Sequence, residues 1–117
     1  MKIWHNNRCS KSRCALEWLN ENNFKPEVFD YLTSTLTKSD IQAVLKQLSI
    51  PANELLGSNE EEYKQHIKGK RLAEDEIIDL MLKFPKLIER PIVLGSKGAV
   101  VARPLEKLIE AINQNKL

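Results

Sequence analysis

Apolar and polar positions along the chain change period several times, and each change marks an element. Lys2-Ile3-Trp4 is a short apolar run that reads as a strand, and from about Ser10 onward Ala15, Leu16, Trp18 and Leu19 line one side of an amphipathic helix. Between the two apolar patterns lies a polar turn, within the stretch His5-Asn6-Asn7-Arg8-Cys9-Ser10-Lys11-Ser12-Arg13-Cys14. Asn22 and Asn23 punctuate, and residues 26–32 read as a second strand. Strand, helix and strand within about thirty residues favour a parallel pair with a right-handed crossover. The polar turn then lies at the carboxyl end of the first strand, where ligands of open α/β sheets bind.

The middle of the chain is helical but broken. Thr37, with Asp40 three residues on, resembles an N-cap before Ile41, Val44, Leu45 and Leu48, which recur at helical spacing until Pro51 interrupts them. Residues 53–56 and 60–67 are short helical stretches separated by Gly57-Ser58 and ended by Gly69, and residues 73–82 carry Ile77, Ile78, Met81 and Leu82 as an apolar stripe. Residues 33–89 therefore read as a helical insert. The end of the chain returns to strand: residues 91–94, the turn Gly95-Ser96-Lys97-Gly98 and residues 99–102 predict an antiparallel hairpin. Pro104 is suited to the first position of a final helix whose apolar face is Leu105, Leu108, Ile109 and Ile112. The expected fold class is α/β, with βαβ, helical insert and ββα building a mixed four-stranded sheet.

Composition narrows the classes. The 117 residues, 42% hydrophobic and 29% charged, suit one soluble globular domain. No apolar run approaches the roughly 20 residues of a membrane span, and the first residues already read as strand and turn, so a cytoplasmic protein is expected, with no membrane partner. The formal charge of +2 and the interspersed signs give no nucleic-acid footprint, and a monomer is expected. Two cysteines five positions apart make no disulfide framework, and no second Cys/His pair stands at zinc-finger spacing. Thiol chemistry without a metal is the economical reading.

That reading centres on Cys9. Most free cysteines are small buried hydrophobes, but Cys9 sits where a helix begins, among Arg8, Lys11 and Arg13. Unpaired N–H groups and the positive end of the helix dipole there favour the thiolate. An ordinary thiol of pKa near 8.5 is only about 3% ionised at pH 7, and a shift of about two units raises that roughly 25-fold. Intrinsic nucleophilicity falls roughly eightfold over the same shift, leaving about a threefold gain. Binding of the developing oxyanion must supply most of any catalysis. Cys14 is a poor resolving partner: five residues along a helix the Cα atoms are about 8 Å apart on different faces, beyond the roughly 7 Å disulfide limit. It is expected to pack beside Trp18, and His66, in a charged segment, is expected to be solvated.

Three segments carry a resemblance: His5-Asn6-x-x-Cys9-x-x-Ser12-Arg13, then Glu89-Arg90-Pro91-Ile92-Val93, then Arg103-Pro104-x-Glu106. In order and spacing the chain resembles the glutaredoxin-dependent arsenate reductase family, which implies a thioredoxin-like fold. The resemblance implies that Cys9 is the nucleophile, that His5 and Ser12 interact with it, and that Arg90 and Arg103 clamp the oxyanion; Arg13 is a further local candidate for stabilising the thiolate. A planar guanidinium suits a tetrahedral oxyanion, and each arginine precedes a proline that biases its backbone to extended geometry. The resemblance also implies a cis bond before Pro91, arsenate as substrate, external glutathione and glutaredoxin as reductants, and no bound cofactor. The alternatives are a redox-responsive regulator similar to the Spx type, although Ser12 stands where those carry a second cysteine, and a thiol reductase with another substrate. The chain departs from the family's pattern at Asn7, where a proline is common, and at Gly57, where a third arginine is usual. Losing one charge-assisted hydrogen bond, worth roughly 1.5–3 kcal/mol, costs about ten- to more than a hundredfold in oxyanion stabilisation.

Overall fold

The computed structural model describes residues 1–57 and 60–117. Among the described residues the elements are β1 (Lys2–Trp4), α1 (Ser10–Glu21), β2 (Glu27–Phe29), α2 (Lys38–Leu48), a 3-10 turn at Ala52–Leu55, α3 (Glu61–His66), α4 (Glu74–Lys83), a second 3-10 turn at Pro85–Leu87, β3 (Ile92–Leu94), β4 (Ala99–Val101) and α5 (Leu105–Asn113). They fall into two compact units, one formed by Met1–Ser34 with Arg90–Leu117 and the other by Thr35–Glu89.

The first unit is built on a four-stranded mixed sheet of order β2-β1-β3-β4. β1 runs parallel to β2, as expected of a crossover through α1, and antiparallel to β3, with Ile3 opposite Val93. Because side chains alternate along a strand, Ile3 and Val93 share one face of the sheet. There they form a fully buried cluster with Ala15 and Leu19 of α1, Leu108 of α5 and Ala102. On the opposite face Trp4 packs on Phe29 and Tyr31, with ring centroids 5.2 and 5.9 Å apart. The second strand is shorter than the apolar pattern predicts. Asp30 ends it, because its carboxylate accepts the Leu32 N–H at 3.1 Å and its carbonyl the Ser34 N–H at 3.0 Å, a side-chain turn that competes with the ladder. The hairpin between β3 and β4 needs its glycines: a Cβ on Gly95 would lie 2.9 Å from the Leu117 Cα, and one on Gly98 2.8 Å from the Lys116 carbonyl oxygen. Pro104 has extended backbone and occupies the N-cap, so α5 begins one residue later than expected.

The second unit is helical. Thr37 caps α2 as its spacing from Asp40 implies: the Asp40 N–H donates to the Thr37 hydroxyl at 3.2 Å, and the Thr37 N–H to the Asp40 carboxylate at 3.0 Å. The helix closes on Ser49 in the left-handed region, before Pro51 is reached. Ala73 has no side-chain acceptor to cap α4, so only the return arm is made, from the Ala73 N–H to Glu76 at 3.0 Å. Ile77, Ile78 and Met81 of α4 are buried. His66 is half-buried and stacks on Phe84 at 4.7 Å, so it is not the freely solvated residue expected from its charged surroundings. Gly57 is buried and donates its N–H to the Leu87 carbonyl at 2.7 Å. The break expected at Gly57-Ser58 falls partly on Ser58, which lies outside the described residues. No helix among the described residues is long and apolar enough to cross a membrane.

Truncation of Leu19, wholly buried between α1 and the sheet, should cost about 2–5 kcal/mol, and loss of the exposed Thr37 cap about 1 kcal/mol. Urea unfolding of Leu19→Ala and Thr37→Ala measures both; equal losses would contradict the assignment of one to core packing and the other to capping.

Candidate active site

Sheet register determines what meets at the end of β1. Trp4 pairs with Ile92, so the loop that leaves β1 and the residues that enter β3, Arg90 and Pro91, lie at the same edge. Ile92 also pairs with Val101, so the chain leaves β4 through Ala102 and Arg103 at that edge too, and the Ala102 N–H donates to the Pro91 carbonyl at 2.9 Å. Three segments far apart in sequence thus converge on the first turn of α1. The Arg90–Pro91 peptide bond is cis, as the resemblance implies, and so is Arg103–Pro104.

Cys9 is the N-cap residue of α1, with extended backbone, and the Arg13 N–H makes the first helical bond to its carbonyl at 3.0 Å. Its side chain therefore stands where a serine or aspartate ordinarily accepts from the second and third helical N–H groups. The neutral thiol forms no such cap. Burial of the sulfur opposes ionisation and is the largest single influence. The backbone N–H groups of Ser12 and Lys11, together with a hydrogen bond and the positive charge of Arg90, outweigh it and hold the thiol below its ordinary pKa. Arg103 Nη1 lies 4.0 Å from Cys9 Sγ. The sulfur thus stands beside two guanidinium groups at the positive end of a helix.

His5 and Ser12 are brought together and bond to each other. Both are buried, and Ser12 Oγ lies 2.6 Å from His5 Nδ1. With the ring proton on Nε2, which has Asn7 Oδ1 at 3.4 Å, Nδ1 accepts the single Ser12 hydroxyl proton. The same oxygen accepts the Asn6 N–H at 3.0 Å. The resemblance implies that Ser12 interacts with Cys9; here its backbone N–H favours the thiolate, while its hydroxyl bonds to His5 and Asn6 and braces the loop. Arg13 is exposed, and its guanidinium donates to the Asn7 carbonyl at 2.9 Å, which holds the loop. Cys14 is exposed instead of packed, because the buried face of α1 runs through Ser12, Ala15 and Leu19, and position 14 lies well round the helix from it.

Asn6 is the residue that the sequence reading passes over. It is 7% exposed, its carbonyl accepts the Cys9 N–H at 3.0 Å, and its side-chain Oδ1 accepts the Arg8 N–H at 3.0 Å. The signal was available, since asparagine is the residue that closes turns through its own side chain, but the family motif drew attention to the reactive groups on either side.

Chemically, a thiol of lowered pKa beside two guanidinium groups can attack the central atom of a tetrahedral oxyanion that those groups hold. Comparison with known proteins agrees with the geometry. The chain is 40% identical to the uncharacterized protein YfgD of Escherichia coli, the match covering 96% of each chain. It is 37% identical to an arsenate reductase of Neisseria meningitidis over 96% of this chain and 97% of that one. Among solved structures, an arsenate reductase from Vibrio cholerae superposes with a TM-score of 0.87 at 34% identity, over 93% of this chain and 94% of that chain. The model of the ArsC family matches residues 4–112, and the chain belongs to that family.

Proposed function

We propose that the protein is a thiol-dependent arsenate reductase. The observation that carries this reading is the placement of Cys9 at the start of α1 with Arg90 and Arg103 beside its sulfur. In this reading the two guanidinium groups hold arsenate, Cys9 Sγ forms a bond to arsenic, and an arsenate oxygen leaves as water. Reduction of As(V) to As(III) takes two electrons. The Cys9 sulfur and the thiol of glutathione supply them, each losing one as the pair becomes a mixed disulfide, and arsenite departs. Glutaredoxin then reduces that disulfide and frees Cys9. Exposed Cys14, on another face of α1, supports an external thiol over an internal one. Residues 1–117 act here as one domain, without a bound cofactor, in the cytoplasm, where reduced glutathione is abundant.

Glutathione- and glutaredoxin-coupled NADPH consumption with arsenate tests the assignment. Turnover should vanish in Cys9→Ser, while Arg103→Ala should lower kcat/KM for arsenate by roughly ten- to a hundredfold. Wild-type protein that consumes no NADPH at high arsenate, although Cys9 is alkylated rapidly near neutral pH, would overturn the substrate and leave a reactive thiol.

The pH dependence follows from the lowered Cys9 pKa. Alkylation and turnover should rise as pH passes upward through a midpoint below the roughly 8.5 of an ordinary thiol. In Arg90→Leu, which removes a hydrogen bond and a positive charge, the midpoint should move to higher pH. The sign for stability is the same: ionised Cys9 favours the folded state fully above the unfolded thiol pKa, and that contribution is lost as pH falls through the folded value.

A further inference from the structure

We propose that Asn6 is a positioning residue for Cys9, and that the hydrogen bonds it makes inside the loop fix the sulfur at the positive end of α1. Every polar group of the Asn6 backbone is used within seven residues of chain. Its N–H donates to Ser12 Oγ at 3.0 Å and its carbonyl accepts the Cys9 N–H at 3.0 Å. Its side-chain Oδ1 accepts the Arg8 N–H, also at 3.0 Å. That last bond identifies the oxygen, since a backbone N–H can only donate.

The consequence lies in which N–H groups remain for the sulfur. The bonds to Asn6 occupy the N–H groups of Arg8 and Cys9, the two residues before the helix. The N–H groups of Lys11 and Ser12, in the first turn, are the ones that act on the thiolate. Asn6 thus separates donors that shape the turn from donors that meet the anion. Without the Asn6 side chain the turn loses the acceptor for the Arg8 N–H; Cys9 keeps its backbone bond to the Asn6 carbonyl, but the residue that precedes it, and with it the direction of Sγ, is held less firmly. Hydrogen bonds to a charged group are sensitive to that direction. The hydrogen bonds of Asn6 go to Arg8, the Cys9 N–H and Ser12 and not to the sulfur, so it acts through Cys9.

The proposal rests on Cys9 being the reactive thiol, but its test does not need arsenate. The rate of iodoacetamide alkylation is followed against pH in a Cys14→Ser background, so that Cys9 alone reports. In Asn6→Ala the midpoint should rise by about one pH unit. In Asn6→Ser, where a hydroxyl can form the same turn more weakly, most of that rise should be recovered. An unchanged midpoint in Asn6→Ala overturns the proposal, as does an equal rise in both variants, which would mark general loosening. Should Asn6→Ala fail to fold, Asn6→Ser decides with amide hydrogen exchange. Faster exchange at Arg8 with a midpoint raised by a few tenths of a unit is expected; faster exchange with no change of midpoint overturns it.

Discussion

Pairing of β1 with β3 in the Trp4–Ile92 register is the constraint on which the site depends, because it sets the end of β1, where residues 5–13 begin, beside the start of β3 that follows Arg90. The strand period is two, so a slip of one residue would send Ile3 and Val93 to opposite faces and displace Arg90 by about 3.3 Å along the sheet. The core cluster of Ile3, Ala15, Leu19, Val93, Ala102 and Leu108 penalises any such slip. Apolar packing on one side of the sheet thereby sets polar geometry at its end. The same cluster anchors α1, whose first turn carries the sulfur, so the helix cannot shift relative to the arginines without opening the core.

Within that frame two opposed influences act on Cys9. Partial burial disfavours the anion, while backbone donors and Arg90 favour it more strongly. The gain in nucleophile concentration is partly cancelled by lower nucleophilicity, which limits what acidity alone can contribute. In the proposed reaction the guanidinium groups are the larger asset, because they would serve the thiolate before an oxyanion arrives and the oxyanion afterwards. In that reaction an incoming anion would share their charge with the sulfur and release part of the stabilisation that otherwise keeps the thiolate unreactive.

Much of this was legible in the residues. The strand–turn–helix at Cys9, the capping pair Thr37 and Asp40 and the hairpin around Gly95 each combine a periodic pattern with residue types suited to one backbone conformation. Convergence of Arg90 and Arg103 was not readable from local pattern, since it depends on strand order, and it came from resemblance. The errors have local causes. Asp30 ended β2 through its own carboxylate, a competition that hydrophobic alternation does not register. Sequence proximity to the thiol does not give side-chain direction: the Arg13 guanidinium donates to a carbonyl, and the Ser12 hydroxyl bonds to His5. Cys14, expected to pack beside Trp18, is exposed, because a helix places position 14 about 100° from Ala15 on the buried face. His66 found Phe84, a partner eighteen residues away that no local window contains.

The buried hydroxyl of Ser12 bears on how the chemistry of such a chain can diversify. Position 12 is where a second cysteine would turn this mono-thiol loop into the Cys-x-x-Cys of a self-contained dithiol, a change of one atom. Here that atom accepts from the Asn6 N–H and bonds to His5 Nδ1. Sulfur is larger and a weaker hydrogen-bonding atom, so Ser12→Cys would crowd a fully enclosed position and weaken both bonds. A second thiol at position 12 would therefore be gained at the expense of the hydrogen bonds that join this position to His5 and Asn6.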